Sequence, residues 1–337
     1  MSGFSSRRRP IRANSSPTVV KIFNHRTREF LKTAGWNNAT RESITGDASA
    51  RKYFRLGQDN QSAILMDASQ NRESVAPFIQ INLHLQRLGF SVPAILARDD
   101  NNDLLLLEDF GDATFARLLD NQDDAEKLYT LATDVLITLH QNPGAVPTGL
   151  RTYHAEKMLA DIELFLEWCT PMIDQAGRKE FHTVWREVLP VAHQVPASLL
   201  LRDYHVANLM LLSEREGVRQ AGLLDFQDAY QGPITYDLAS LLEDARRDVP
   251  ENLREKMVAR YLARSPALDR KTFETSLAIL AALRHTRVLA IFERLSRHEG
   301  RHHYQELHSP RVERLLQRAL AHPRLAGVKQ WMERYAG

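Results

Sequence analysis

Residues 198–212 read SLLLRDYHVANLMLL and residues 222–229 read GLLDFQDA. Asp203 is followed, after four intervening positions, by Asn208, and Asp225 comes seventeen positions after Asn208. The apolar runs near 209–212 and 219–225 read as two strands, and Glu214-Arg215-Glu216-Gly217 reads as the turn between them. In an antiparallel hairpin the start of one strand neighbours the end of the other. Asn208 and Asp225 are therefore expected side by side, with Asp203 on the loop that feeds them. A carboxylate and an amide oxygen suit a hard cation such as Mg²⁺. A second carboxylate close by can accept a hydroxyl proton and align a nucleophile. Phosphoryl transfer needs this combination.

Upstream, apolar periodicity predicts a helix over 23–35, strands at 50–56 and 62–67, and a helix over 73–89 that stops at Gly89. Gly57-Gln58-Asp59-Asn60 is the turn between the two strands. A short strand at 94–98, a turn at Asp99-Asp100-Asn101-Asn102 and the run Leu104–Leu107 follow. From 112 onward the pattern is helical, with helices over 123–141, 152–169, 175–193 and 235–245 and more to the end. A β-rich portion preceding a helical one is α+β with segregated parts, not alternating βαβ. The break falls at Glu108-Asp109-Phe110-Gly111. The expected division is a disordered basic tail (1–17), a small β-rich N-lobe (18–111) and a large mostly helical C-lobe (112–337).

Composition excludes several classes. Of 337 residues 43% are hydrophobic, enough for a two-lobed enzyme. Lys plus Arg number 44 against 42 Asp plus Glu, a net charge of +2, so no global basic field argues for nucleic acid. The local exception, Arg7-Arg8-Arg9 with Arg12, lies in the tail and reads as an unstructured leader or an anion-binding arm. A single cysteine, Cys169, excludes an intramolecular disulfide framework and cysteine-based zinc clusters, and reads as a buried thiol. There is no signal-peptide core, and no uninterrupted apolar run approaches the ~18 residues of a membrane span. A soluble, cytoplasmic chain with no membrane partner is the expectation. Neither G-x-x-x-x-G-K-[ST] nor G-x-G-x-x-G is present, which excludes P-loop and dinucleotide-binding readings.

The Arg202-Asp203-x-x-x-x-Asn208 stretch, a strand hairpin and Asp225-Phe226 resemble the catalytic and metal-binding loops of the kinase superfamily. Leu139-His140, Leu224-Asp225-Phe226 and Gly232 with Tyr236-Asp237-Leu238-Ala239 resemble its aminoglycoside phosphotransferase and choline kinase branch. Within that branch RDYHVANLM, GLLDFQDA and YDLASLLEDARRDV resemble the bacterial N-acetylmuramate/N-acetylglucosamine anomeric kinases. The resemblance extends in order over roughly residues 25–335. It implies a bilobal protein-kinase-like fold, with ATP and Mg²⁺ as cofactors and an amino sugar phosphorylated at its anomeric hydroxyl in peptidoglycan recycling. Asp203 would be the base, with Asn208 and Asp225 the metal ligands. The alternatives are another hydroxylated metabolite, such as an aminoglycoside or a choline-like alcohol, or a non-catalytic nucleotide-binding scaffold.

The N-lobe carries weaker signals. Gly46-Asp47-Ala48-Ser49-Ala50 resembles the family's phosphate-covering loop, with Gly46 and Ser49 at the nucleotide, and reads equally as a hairpin turn. Glu108, Asp109 and Phe110 stand where the adenine hinge would be. The strand at 62–67 lacks the superfamily's lysine. Arg51, Lys52 or Arg55 could meet the phosphates instead, with Glu73 as the helix partner, or all could be surface charges. Leu201 replaces the usual His two positions before the catalytic aspartate. His205, Asp228, Glu243 and Arg246 are the candidate acceptor contacts, with Asp244 and Arg247 in the same stretches. His205 reads alternatively as a loop brace and Asp228 as a solvated acid. His140 reads as structural, Asp237 as a brace for the loops, and His302-His303 as solvated surface.

Overall fold

The computed structural model describes residues 23–44, 51–99 and 103–336. In chain order the elements are α1 (His25–Thr33), β1 (Thr40–Ile44), β2 (Lys52–Gln58), β3 (Gln61–Asp67), α2 (Val75–Arg87), β4 (Ile95–Arg98) and β5 (Leu104–Glu108). Then come α3 (Phe115–Asp120), α4 (Ala125–Gln141), α5 (Ala155–Trp168), α6 (Gln175–Ala192), β6 (Ala197–Leu200), β7 (Leu209–Leu211), β8 (Ala221–Leu223) and β9 (Tyr230–Pro233). The chain ends with α7 (Thr235–Leu242), α8 (Glu251–Ala263), α9 (Arg270–Glu299), α10 (His302–Leu320) and α11 (Ala326–Tyr335).

The first five strands form one antiparallel sheet in the order β1-β2-β3-β5-β4. Asp59 and Asn60 turn β2 into β3 with φ of 50° and 64°. That paired left-handed geometry gives a two-residue loop whose twist matches the strands, and Asp and Asn tolerate it best after glycine. Leu104 to Leu107 are all buried because both faces of the sheet are covered. Leu104 and Leu106 join Phe30, Leu31, Leu56 and Leu65 on the α1 side. Leu105 and Leu107 pack with Met66, Phe78, Ile81 and Leu85 on the α2 side, in a core continuous with the helical part. Alternation along the strand thus sorts one leucine run into two cores.

Residues 112–336 are mostly helical and carry two small antiparallel pairs, β6-β9 and β7-β8. This is the α+β, protein-kinase-like arrangement expected. The pair β6-β9, the short strand β1 and the helix α3 are additions to the sequence reading. The 30-residue α9 lies against α5, α6, α7 and α10. By length and composition it could cross a membrane, but 72% of that apolar window is buried inside the fold, as in a core helix.

Candidate active site

Strand β6 delivers the chain into the loop that carries Asp203. Arg202 adopts φ 68°, so the backbone reverses at that residue. The N–H groups of Leu201 and Arg202 donate to Asp237 Oδ2 and Oδ1 at 2.6 and 2.9 Å. Asp237 lies in the first turn of α7 and is fully buried. Burial, offset in part by the two N–H donors and the nearby Arg284, leaves its carboxyl raised to about 7. Since both oxygens accept backbone hydrogens, we read it as a carboxylate. The loop is therefore gripped through its backbone, and Leu201 needs no polar side chain to hold it.

The residues flanking Asp203 are anchored by side chains as well. The Arg202 guanidinium pairs with Asp161 at 2.7 Å and lies over the rings of Tyr153 (5.0 Å) and Tyr230 (5.1 Å). Tyr204 donates its hydroxyl hydrogen to the Ala132 carbonyl at 2.8 Å.

Hairpin β7-β8 pairs Leu209 with Leu223, and the Leu224 N–H donates to the Asn208 carbonyl at 3.0 Å. Asn208 and Asp225 thus stand at the same end of the hairpin. The Asn208 amide nitrogen donates to the Asp203 carbonyl at 2.9 Å and approaches His205 Nε2 at 3.3 Å. Both amide hydrogens are thereby used, leaving the amide oxygen as the acceptor end. Asp225 sits at φ 59°, a conformation costly for a non-glycine residue and found preferentially at functional sites. Phe226 fixes it by stacking on Phe78 of α2 at 5.2 Å. The Asp225 side chain is 41% exposed; its Oδ1 accepts from Arg51 at 2.7 Å and from Gln227 at 3.1 Å, leaving Oδ2 unengaged by these bonds.

One amide oxygen and one carboxylate oxygen are thus presented together. Among the described residues no group of three or more His, Cys, Asp or Glu could hold a metal. Mg²⁺ fits this sparse set, because in nucleotide sites it takes one or two protein ligands and completes its shell with phosphate and water.

The N-lobe candidates separate. Arg51, 5% exposed at its side chain, reaches Asp225 and also Gln227 Oε1 at 2.7 Å. Arg55 instead pairs with Asp109 (2.7 Å) and Asp112 (2.8 Å) and donates to the Gly111 carbonyl (2.9 Å), so it braces the connection between the lobes. Lys52 is exposed, and Glu73 is exposed on the 3-10 turn before α2. Glu108 accepts from the Ala94 N–H and pairs with Arg215, whose guanidinium also lies 5.1 Å from the Phe110 ring. Phe110 packs so tightly on Gly222 that a Cβ there would meet the ring at 2.8 Å. Gly46 and Ser49 lie outside the described residues.

The acceptor candidates also divide. His205 is buried, and burial lowers its basicity; the charged groups around it are Asp244, Arg246, Asp203 and Arg284. Asp228 is exposed and lies 3.7 Å from Arg151. Glu243 is turned away into a buried network with His285 (2.9 Å) and Arg318 (3.2 Å). Arg246 is half-buried, its N–H donating to Asp244 at 2.8 Å, and Arg247 is tied to Asp120 and the Ala116 carbonyl of α3. His140 is structural, bonding Tyr261 at 2.7 Å with its basicity pushed down by burial to about 3. His302 bonds Ser296, and His303 lies against Tyr304. The sequence reading missed Asp161, Tyr153 and Tyr230, which hold Arg202 from segments far away in the chain.

A kinase-like fold with these loops defines a phosphotransferase that uses a hydroxyl group as acceptor. The chain belongs to the phosphotransferase enzyme family (APH), whose sequence model matches residues 40–273. It is 33% identical to an N-acetylmuramate/N-acetylglucosamine kinase of Caulobacter vibrioides, over 91% of this chain and 94% of the relative. It is 29% identical to the protein of that name from Pseudomonas putida, over 82% of this chain and 83% of the relative. In fold it is similar to the GDP complex of aminoglycoside 2'-phosphotransferase-IIIa (TM-score 0.62, 15% identity, 88% of this chain and 98% of that one). It is likewise similar to a choline/ethanolamine kinase family protein of Mesorhizobium loti (TM-score 0.61, 16% identity, 92% and 98%).

Proposed function

We propose that this chain is an ATP-dependent kinase that phosphorylates the anomeric hydroxyl of N-acetylmuramate and N-acetylglucosamine in peptidoglycan recycling. The observation that carries this reading is the convergence of Asp203, Asn208 and Asp225 at one end of the β7-β8 hairpin, in a chain a third identical to a kinase named for those sugars.

Asp203 accepts a hydrogen bond from the sugar hydroxyl and takes its proton as the oxygen attacks the γ-phosphoryl group, while the bond from the γ-phosphorus to the β,γ-bridging oxygen breaks and ADP leaves with that oxygen's electron pair. A hemiacetal hydroxyl is more acidic than an ordinary alcohol, so a carboxylate base suffices. Its position is set by the grip on residues 201 and 202 from Asp237 and Asp161, which fixes the attack geometry before substrate arrives. Asn208 Oδ1 and Asp225 Oδ2 would hold Mg²⁺, which when bound neutralises charge on the phosphates. Arg51 directs a second positive charge to the same place, the role the superfamily gives to its strand lysine. Backbone near 108–110 would receive the adenine, in a segment braced by Arg55 and Arg215.

The test is a Mg·ATP phosphorylation assay on N-acetylmuramate, N-acetylglucosamine, glucose, choline and kanamycin, with products read by ³¹P NMR. An anomeric phosphate on the N-acetyl sugars, lost in Asp203→Asn, is the expected result. Phosphate on another member of the panel refutes the sugar assignment and leaves the catalytic trio standing.

A further inference from the structure

Most arginines among the described residues are ion-paired, including Arg270 and Arg297 of α9. Three others on the same helix, Arg284, Arg287 and Arg294, have no carboxylate of the described residues within ion-pair distance. Arg284 is only 7% exposed, and its Nη1 is buried with no hydrogen-bond partner; Arg294 Nε is in the same condition. A buried guanidinium without an ion-pair partner is costly, so Arg284, the one buried member of the three, is placed to take a negative group from outside.

The three are not scattered. Positions 284, 287, 291 and 294 repeat at intervals of three and four, so they form one row along the helix. At 1.5 Å per residue the row is about 15 Å long. Its first member lies beside the catalytic loop, because the Arg284 charge acts on both His205 and Asp237. Its second acts on Asp161 and Tyr153, the partners of Arg202. Arg287, Ile291 and Arg294 then line a cavity of about 680 Å³ between α5, α6 and α9, whose α5 wall carries Glu156, Asp161, Glu163 and Glu167, so the carboxylates of that wall face the row except at its Arg284 end. The row therefore runs from the residues around Asp203 into this cavity.

His205 adds a second unsatisfied donor at the catalytic end. The Asn208 nitrogen that donates to the Asp203 carbonyl can only donate to His205 Nε2, which must then be the bare nitrogen of the ring. The hydrogen is on Nδ1, and Nδ1 is buried with no partner.

We propose that the arginine row of α9 is the reading surface for a carboxylate-bearing sugar acceptor, with Arg284 and Arg287 taking the carboxylate and His205 Nδ1 donating to an oxygen of the same ligand. This rests on the sugar-kinase reading and deepens it. N-acetylmuramate differs from N-acetylglucosamine by an acidic ether arm two ring carbons from the anomeric centre, and a row of cations beside the base distinguishes the two.

The experiment compares wild type with Arg284→Gln and Arg287→Gln on both sugars and on the methyl ester of N-acetylmuramate. Arg297→Gln, exposed and paired with Glu293, serves as the control. Melting curves check folding, and Arg→Lys versions restore charge where Gln unfolds the protein. Losing a charged hydrogen bond predicts KM for N-acetylmuramate raised by about ten- to a hundredfold. KM for N-acetylglucosamine and the ester should stay within about threefold, with the wild type already favouring the free acid over its ester. Equal losses on all three substrates, or no change, overturn the proposal and assign the row to structure. Wild type that phosphorylates neither sugar overturns the sugar-kinase reading itself and this proposal with it, an outcome visible before any variant is made.

Discussion

Replacing Asp237 by asparagine isolates the device that holds the loop carrying Asp203. The side chain keeps its shape, but an amide NH₂ now faces one of the two backbone N–H groups that Asp237 accepts at 2.6 and 2.9 Å. One charge-assisted bond is lost and a donor is left opposed in a fully buried place. An unsatisfied buried donor costs about 1–3 kcal/mol, and hydrogen bonds to charged groups reach the upper part of that range. Alanine leaves both donors unsatisfied, for about 2–6 kcal/mol. Urea unfolding followed by circular dichroism gives the stability change. Turnover under saturating Mg·ATP gives the consequence for Asp203, a loss that should exceed tenfold because, in the proposed mechanism, base alignment depends on the same two N–H groups. The Asp237 carboxyl is raised to about 7, so a neutral acid is the rival state at physiological pH. Asparagine mimics that state. An Asp237→Asn enzyme with unchanged midpoint and unchanged turnover would refute both the carboxylate assignment and the backbone grip.

Other outcomes follow from the same geometry. Arg51→Gln removes the charge directed at Asp225 and should lower kcat/KM for the nucleotide by about ten- to a hundredfold, while a change under about threefold would remove Arg51 from the phosphate site. Gly222→Ala drives a Cβ to 2.8 Å from the Phe110 ring and 3.1 Å from Met210 Cβ. It should cost about 1–3 kcal/mol in chemical denaturation and raise the nucleotide KM by displacing the inter-lobe segment; a neutral substitution would show that Phe110 yields freely. Burial opposes ionisation of Glu243, but its bond to His285 and the charges of His285, Arg318 and Arg254 outweigh it, so its carboxyl lies below the ordinary 4.5. A lowered acid contributes stability that is full above about pH 4.5 and lost as pH falls through its folded value. The stability gap between wild type and Glu243→Gln should therefore narrow below pH 4.5, and a gap constant with pH would contradict the network.

Much of the site was readable along the chain because its parts are close in sequence. Asp203 and Asn208 share one loop, and a hairpin with a short turn returns Asp225 to them, so local strand pairing is enough to predict the meeting. The hairpin turn at Asp59-Asn60 and the boundaries of α2, α4, α5 and α6 were legible for the same reason, each being set by residues within a turn or two. The pair β6-β9 was not, since its four-residue strands find each other 30 to 36 positions apart and neither has a pattern of its own.

The choice among Arg51, Lys52 and Arg55 shows where local reading ends. Alternation alone sets Lys52 on the face opposite the other two. Arg51 and Arg55 share a face and are about 13 Å apart along the strand at ~3.3 Å per residue. Only the placement of Asp225 beside one and Asp109 beside the other divides them. Likewise, composition could show arginines in an apolar helix, but not that Arg284, Arg287 and Arg294 lack carboxylate partners while Arg297 has one. The sequence by itself determined the α+β fold class and the meeting of Asn208 and Asp225 beside the Asp203 loop, because short-range periodicity and one hairpin specify them. Tertiary structure decided which charges are neutralised, because ion pairing depends on distances between segments that sequence separation does not encode.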